Sequence, residues 1–250
     1  MNIQEEMDSI LEGFLRAVPA HMPVCSLAHP KSNHVTFIRS TNYIPYLQKV
    51  EGLGISNLIV IAPDSLDLPN FKGVNYYRTH DVDILFTLYA NFVHKGHLGD
   101  NEIHSSAVID PTAVIGAEGI SAADYKDERI FFRHHGNVVI GEGAFIGANA
   151  VVQRGRIDST VIGKRTIISS LCVVGHNTVI GENCSMAIQS GISGTCRIGD
   201  RCWIGIGAKV RDSITICDDV VIGIGAVVVK DIDRPGVYVG NPAKFLREEW

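Results

Sequence analysis

His176 is the residue in this 250-residue chain whose type and placement first point to chemistry. It is the one histidine of ten that falls inside the regular part of a six-residue repeat, in the stretch VGHNTVIG. It stands two positions after an apolar residue, where a turn is expected and a side chain can face outward. An imidazole titrates near neutral pH, so a histidine held there suits removal of a proton from an attacking amine or hydroxyl. Asn177, its neighbour, is of a type that turns tolerate, and reads either as a turn residue or as a group that orients the site. His134 and His135 adjoin each other in the polar, aromatic stretch IFFRHHGNV, outside the regular repeat. Of the six cysteines, none forms a CxxC pair, which argues against a metal or redox framework.

The elements that must position these residues follow from the repeat. Val or Ile returns every sixth residue at Ile140, Ile146 and Val152, and from Ile162 onward through Ile168, Val174, Ile180, Ile192, Ile198, Ile204, Val210, Ile216, Ile222 and Val228, with Met186 filling one place. Four positions later the residue is small, as at Ala144, Thr166, Cys172, Thr178, Cys184, Cys196, Cys202 and Ala226. Period six fits no helix, whose 3.6 residues per turn would smear the anchors over every face. It fits short β-strands that turn after each sixth residue, three to a coil, with the β-branched anchor and the small residue inside. Cys172, Cys184, Cys196 and Cys202 are thereby expected to be small buried side chains. Ile103, Ile109 and Ile115 start the period early, residues 117–138 break it with a long ejected loop, and loops of this kind are usually functional. A second break runs from Val152 to Ile162, a step of ten that is expected to shorten two rungs.

These residues carry a resemblance. The pattern is similar to the hexapeptide-repeat, left-handed parallel β-helix family, which implies a homotrimer and transfer of an acyl group from coenzyme A or acyl carrier protein. IGAEG (115–119), RGRIDSTVIG (154–163) and VGHNTVIG (174–181) resemble the UDP-3-O-acylglucosamine N-acyltransferases of lipid A synthesis. That likeness implies His176 as catalytic base and Gly194, in ISGTCRIG, as the backbone donor to the oxyanion. It also implies that Phe37 and Tyr43, in SNHVTFIRSTNYIPYL, clasp a nucleotide base; where that family has asparagine between them, this chain has Ser40. GVYVGNPAKFLR resembles instead the closing loop of coenzyme A-dependent acetyltransferases that modify nucleotide-linked amino sugars for surface glycans. On that likeness Gly207, Ala208, Gly225 and Ala226 leave backbone N–H groups open to the pantetheine arm. Lys230, Lys244 and Arg247 are its phosphate partners, and Asn241 and Pro242 flank the adenine. His134, His135 and Tyr125 line the sugar site or are loop surface. Some hexapeptide proteins are zinc carbonic anhydrases, but those draw two close histidines from the repeat and this repeat supplies one, so no metal is expected.

The expected organisation is a small α+β nucleotide-sugar domain (1–98), a left-handed β-helix acyltransferase domain (99–234) with loop 117–138, and a tail (235–250) closing the coenzyme A site. In the first part, Ile10 to Val18 and Asp81 to His94 read as helices, and His34 to Ile38 and Leu58 to Ile61 as strands. A net charge of −5 without a run of Lys or Arg excludes nucleic acid as the main partner. The acidic start MNIQEEMDSI lacks a signal-peptide pattern and no apolar run is long enough to span a bilayer, so a soluble cytoplasmic protein is expected. The leading reading is an acetyl-CoA-dependent N-acetyltransferase of a nucleotide-linked amino sugar. The alternatives are the lipid A acyltransferase itself, using acyl carrier protein, O-acylation by the same base, and a non-catalytic β-helix scaffold.

Overall fold

The computed structural model describes residues 2–19, 22–94 and 98–248. It divides into two units, Met1–His97 with Ile120–Arg133, and Leu98–Gly119 with His134–Trp250. The first unit holds helix α1 (Ile3–Ala17), strand β1 (Val35–Phe37), helix α2 (Ile44–Gly52), strands β2 (Leu58–Pro63) and β3 (Val74–Thr79), and helix α3 (Val82–Val93). The three strands pair in parallel in the order β1-β2-β3. The central strand LIVIAP is apolar along its length because both of its faces are covered. The sequence reading found α3 and the cores of β1 and β2. It started α1 seven residues late, because the helix begins at a capping box: Asn2 Oδ1 accepts the Glu5 N–H and Glu5 accepts the Asn2 N–H. It also passed over α2 and the edge strand β3, which are short or half-exposed and carry no clean period.

The ejected loop is ordered. Ala122–Tyr125 and Glu128–Phe131 form an antiparallel hairpin that belongs to the first unit. Asn91 of α3 holds it from both sides, donating to the Phe131 carbonyl at 2.8 Å and accepting the Arg133 N–H at 3.0 Å. Phe132 stacks on Phe86 with centroids 5.9 Å apart. Only the two ends of the loop, up to Gly119 and from His134, belong to the second unit.

The second unit is a parallel β-helix. Its two- to four-residue strands stack into three parallel sheets, and each strand pairs with the one a full coil later: Ile168 with Met186, Met186 with Ile204, Ile204 with Ile222. The anchors form one continuous core from Val138 to Ile232. The small inward position has a second property that the period alone did not reveal. Thr166, Cys172, Thr178, Cys184, Cys196 and Cys202 each donate their hydroxyl or thiol hydrogen to the carbonyl fifteen residues on, at 2.7 to 3.2 Å. A small side chain with one donor both fits the narrow interior and satisfies a corner carbonyl that the strand ladder leaves over.

The second break in the period resolves differently from the expectation. The step from Val152 to Ile162 shortens nothing: Ile140 pairs with Ile162, Ile146 with Ile168 and Val152 with Val174, so one coil has twenty-two residues where its successors have eighteen. One corner is widened by four residues, within 154–159; the strands keep register with the next coil, while against the coil before a bulge falls between Val152 and Gln153.

Candidate active site

The widened corner places the site. His176 follows the strand Val173–Val174, and Gly194 occupies the equivalent place one coil later, after Gly191–Ile192. A Cβ on Gly194 would lie 2.7 Å from His176 Nε2 and 2.8 Å from Cε1, so only glycine lets the ring lie over this turn. Among the described residues no acceptor takes the Gly194 N–H. An open backbone donor and the outer nitrogen of an imidazole therefore share one corner.

Asn177 decides which nitrogen carries the proton. Its backbone is left-handed (φ 59°), a conformation asparagine tolerates better than most residues. Its amide is fixed by two backbone groups of the widened corner: Oδ1 accepts the Arg156 N–H at 2.9 Å and Nδ2 donates to the Asp158 carbonyl at 3.0 Å. Its own N–H donates to Thr160 Oγ1 at 2.8 Å. With the amide so oriented, Oδ1 faces His176 Nδ1 at 3.1 Å and can only accept. The proton of the neutral ring is then on Nδ1, and Nε2 keeps its lone pair. Gln153 Oε1 accepts the His176 N–H at 3.2 Å. Burial pushes the His176 pKa down; the Asn177 bond opposes this and the Arg156 charge adds to it.

Arg154, at the start of the widened corner, was not singled out by the sequence reading. Among the described residues its buried guanidinium donates to three backbone carbonyls: Gly116 at 2.8 Å, Gly136 at 3.2 Å and Gly99 at 3.3 Å. It ties the two ends of the ejected loop to the solenoid. An arginine next to a glycine in a lengthened step was the available signal.

His134 and His135 are neither loop surface nor open to a ligand. His134 is 0% and His135 9% exposed, because the returning end of the loop is drawn into the solenoid; His135 N–H donates to the Arg156 carbonyl and its own carbonyl accepts the Gly99 N–H. His134 lies edge-on to His176 with ring centroids 5.1 Å apart. Tyr125, Phe37 and Tyr43 are in the first unit. Tyr125 has the Lys126 ammonium 5.4 Å from its ring centre. Phe37 stacks on Phe86 at 4.3 Å and carries the Arg39 guanidinium 5.2 Å from its centre, whereas Tyr43 is exposed in a short turn of helix beside Tyr46. The described ring contacts of Phe37 and Tyr43 are thus with other partners than each other.

The backbone donors expected for pantetheine are already used. Gly207 and Gly225 donate to the Ile188 and Ile206 carbonyls, and Ala208 and Ala226 to the Gly205 and Gly223 carbonyls, at 2.8 to 3.2 Å. Both alanine side chains point into the core. What this corner offers outward is a column of isoleucines one coil apart, Ile188, Ile206 and Ile224, which are 40%, 47% and 76% exposed. Lys230, Asn241, Pro242 and Lys244 are exposed, the last opening a strand that pairs antiparallel with Gly236–Val239. Among the described residues no three His, Cys, Asp or Glu side chains converge as metal ligands, and no helix is long and apolar enough to cross a membrane.

The model of the family described as hexapeptide repeat of succinyl-transferase matches residues 137–170 and 196–230, both within the solenoid. This chain carries hexapeptide repeats. The hexapeptide-repeat chain is 36% identical over 150 residues to a UDP-3-O-acylglucosamine N-acyltransferase of Methylococcus capsulatus, which covers 60% of this chain and 42% of that one. It is 49% identical over 136 residues to the protein of that name in Maricaulis maris, covering 54% and 40%. The chain thus spans less than half the length of these curated relatives. In fold it is similar to the crystal structure of a UDP-N-acetylglucosamine acyltransferase, with a TM-score of 0.52 at 20% identity over 87% of this chain and 71% of that one.

Proposed function

We propose that this hexapeptide-repeat protein is an N-acyltransferase that moves an acyl group from a thioester to the amine of a nucleotide-linked amino sugar. The observation that carries the reading is the corner at His176, where the proton-free Nε2 and the open Gly194 N–H lie together. As the amine nitrogen bonds to the thioester carbonyl carbon, His176 Nε2 takes the amine proton. The carbonyl oxygen becomes an oxyanion and accepts the Gly194 N–H. Collapse of the tetrahedral species breaks the carbon–sulfur bond, and the leaving thiolate takes the proton back from the imidazolium. No redox step or metal enters this sequence.

The relatives named UDP-3-O-acylglucosamine N-acyltransferase move the preferred substrate from a generic amino sugar to a UDP-linked glucosamine bearing a 3-O-acyl group. The motifs IGAEG, RGRIDSTVIG and VGHNTVIG, through their resemblance to the lipid A acyltransferases, support a longer acyl donor, from acyl carrier protein, over the acetyl-CoA expected from the tail. The exposed isoleucine column supports a longer acyl chain, since it offers an apolar track along which such a chain can lie. That column stands on a different corner from His176, following the strands at Met186, Ile204 and Ile222. A homotrimer is the assembly in which one copy's His176 corner meets another copy's isoleucine column. Its contact surface would be the outward ladder Val108, Phe145, Ile167, Ser185 and Trp203, apolar but for the serine, which runs up one sheet.

The test is thiol release from acetyl-CoA and from long-chain acyl carrier protein, with UDP-glucosamine and its 3-O-acyl derivative as acceptors, alongside light scattering for the assembly. Turnover that falls by about 10²- to 10⁴-fold in His176→Ala is expected. Turnover retained within tenfold in folded His176→Ala would remove the assignment of the base.

A further inference from the structure

His134 sits deeper than a substrate contact would need to, and it sits against the one group on which the proposed chemistry depends. Its ring is fully buried, 5.1 Å from that of His176 and nearly perpendicular to it at 80°. The Gly119 N–H donates to His134 Nδ1 at 3.2 Å, and the Arg154 carbonyl lies 3.3 Å from the same nitrogen. Gly119 itself wedges between the two rings: a Cβ there would lie 2.4 Å from His134 Cε1 and 3.1 Å from His176 Cδ2. His176 is therefore enclosed by Gly194 beside Nε2, by Asn177 at Nδ1, and by Gly119 and His134 at the rest of its ring.

We propose that His134 is a positioning residue for the base: anchored on the Gly119 N–H, its buried ring forms the wall that holds the His176 imidazole against Gly194 and keeps water from it. This deepens the acyl-transfer reading and rests on it. A wall of this kind has an electrostatic consequence. Accepting the Gly119 N–H requires Nδ1 of His134 to be bare, and a proton on that nitrogen would exchange this bond for one to the Arg154 carbonyl. Burial, followed by the nearby His176, pushes the His134 pKa down to about 4, with Arg156 acting the same way and the Arg154 carbonyl and Glu118 opposing. Across the working range His134 is thus a neutral, space-filling neighbour. It adds no charge to His176 but withholds the solvent that would stabilise an imidazolium. A base kept neutral in this way is ready to take the amine proton at mildly acidic as well as neutral pH.

The groups that bear on this pair come from every segment around it. Arg156, on the widened corner, faces both rings, and Glu118, on the outgoing end of the loop, accepts the His134 N–H at 3.3 Å. Asn177 and Gln153 hold His176 by neutral hydrogen bonds. Arg156 and Glu118 are both retained when His134 is replaced, so a change in the titration of His176 reports the wall itself.

The experiment labels histidine Cε1 with ¹³C in the full-length protein and follows His176 by NMR, assigned by its loss in His176→Gln. Titrations are compared for the unmodified protein, His134→Ala, which opens the wall, and His134→Phe, which keeps a buried ring. The acidic limb of kcat/KM is measured in parallel. In His134→Ala the His176 pKa and the acidic limb are expected to rise together by roughly half to one unit as water enters. In His134→Phe they are expected to stay near the original value, because the ring still excludes solvent. A His176 titration in folded His134→Ala that overlays the original overturns the proposal. So does a rise in His134→Phe as large as that in His134→Ala. Should no protein, including the unmodified one, turn over any thioester while the NMR titration shifts as expected, the wall stands and the acyl-transfer reading fails.

Discussion

Asn177 Oδ1 lies 3.1 Å from His176 Nδ1 while it accepts the Arg156 N–H at 2.9 Å, so one amide oxygen joins the widened corner to the imidazole. The extra four residues of that coil thus have a chemical result: they supply the backbone groups that fix the amide and, through it, the tautomer. Asn177→Ala is expected to lower kcat by about 10- to 100-fold with KM little changed, since the ring loses its orientation and not its substrate. Asn177→Asp is expected to raise the acidic limb of the pH profile, because a carboxylate beside Nδ1 stabilises the imidazolium. Steady-state kinetics from pH 5 to 8 would show both. An unchanged profile in Asn177→Asp would deny the contact any role in the state of the ring.

Gly194 carries a prediction of a different kind. The Cβ of Gly194→Ala would lie 2.7 Å from His176 Nε2, the nitrogen that must face the amine. The ring has to turn away, and the expected loss of kcat/KM is on the order of 10²-fold or more. The solenoid core is untouched, so the far-ultraviolet circular dichroism and the melting temperature should hold. A variant that keeps its activity would place the attacking amine elsewhere.

Much of this was legible in the sequence, and the reasons differ by element. The β-helix was legible because one period of six, carried by β-branched anchors, has a single regular solution. His176 was legible because it is the one histidine inside the regular repeat, whereas Gly194 entered only through the family resemblance; the structure puts the two one coil apart on one corner. The fates of His134 and His135 were not: both lie where the period is broken, and burial of the returning loop end depends on Arg154 gathering carbonyls from three distant segments. The expected pantetheine donors failed for a local reason. Small residues at Ala208 and Ala226 serve the tight turn and the core, and the turn consumes their N–H groups. The ten-residue step was misread because a count between anchors does not say whether a coil has lost residues or gained them; the pairing of Ile140 with Ile162 does.

The buried state of His134 predicts how stability depends on pH. Its folded pKa, about 4, lies below the ordinary value of 6.5, so the unfolded chain binds the proton first. Above pH 6.5 the ring is neutral in both states and costs nothing. As pH falls from 6.5 toward 4 the unfolded state is progressively favoured, by up to about 3 kcal/mol at the lower limit, and below that the dependence levels off. His134→Phe, which has nothing to titrate, is expected to flatten that part of the curve. Urea unfolding at pH 7.5, 6, 5 and 4.5 would measure the difference between the two proteins. Parallel slopes would mean that His134 is solvated, or already charged, in the folded protein.

The column of small inward residues gives a prediction that separates size from hydrogen bonding. Thr178 donates to the Ser193 carbonyl at 2.8 Å and accepts the Cys196 N–H at 3.3 Å, both in the interior. Thr178→Val keeps the volume and removes both bonds, leaving a buried carbonyl and a buried N–H without side-chain partners. The expected loss is about 1–3 kcal/mol. Cys184 holds the equivalent place one six-residue repeat on and donates to the Gly199 carbonyl at 3.0 Å. Cys184→Ser keeps a donor of similar size, and the expected change is within about 1 kcal/mol. Comparing the urea midpoints of the two variants decides between the explanations. If valine at 178 is as stable as threonine, the position asks only for a small side chain. If it is the weaker and serine at 184 is tolerated, the corner carbonyls require a donor, and thiols recur in this interior because they supply one in the space available.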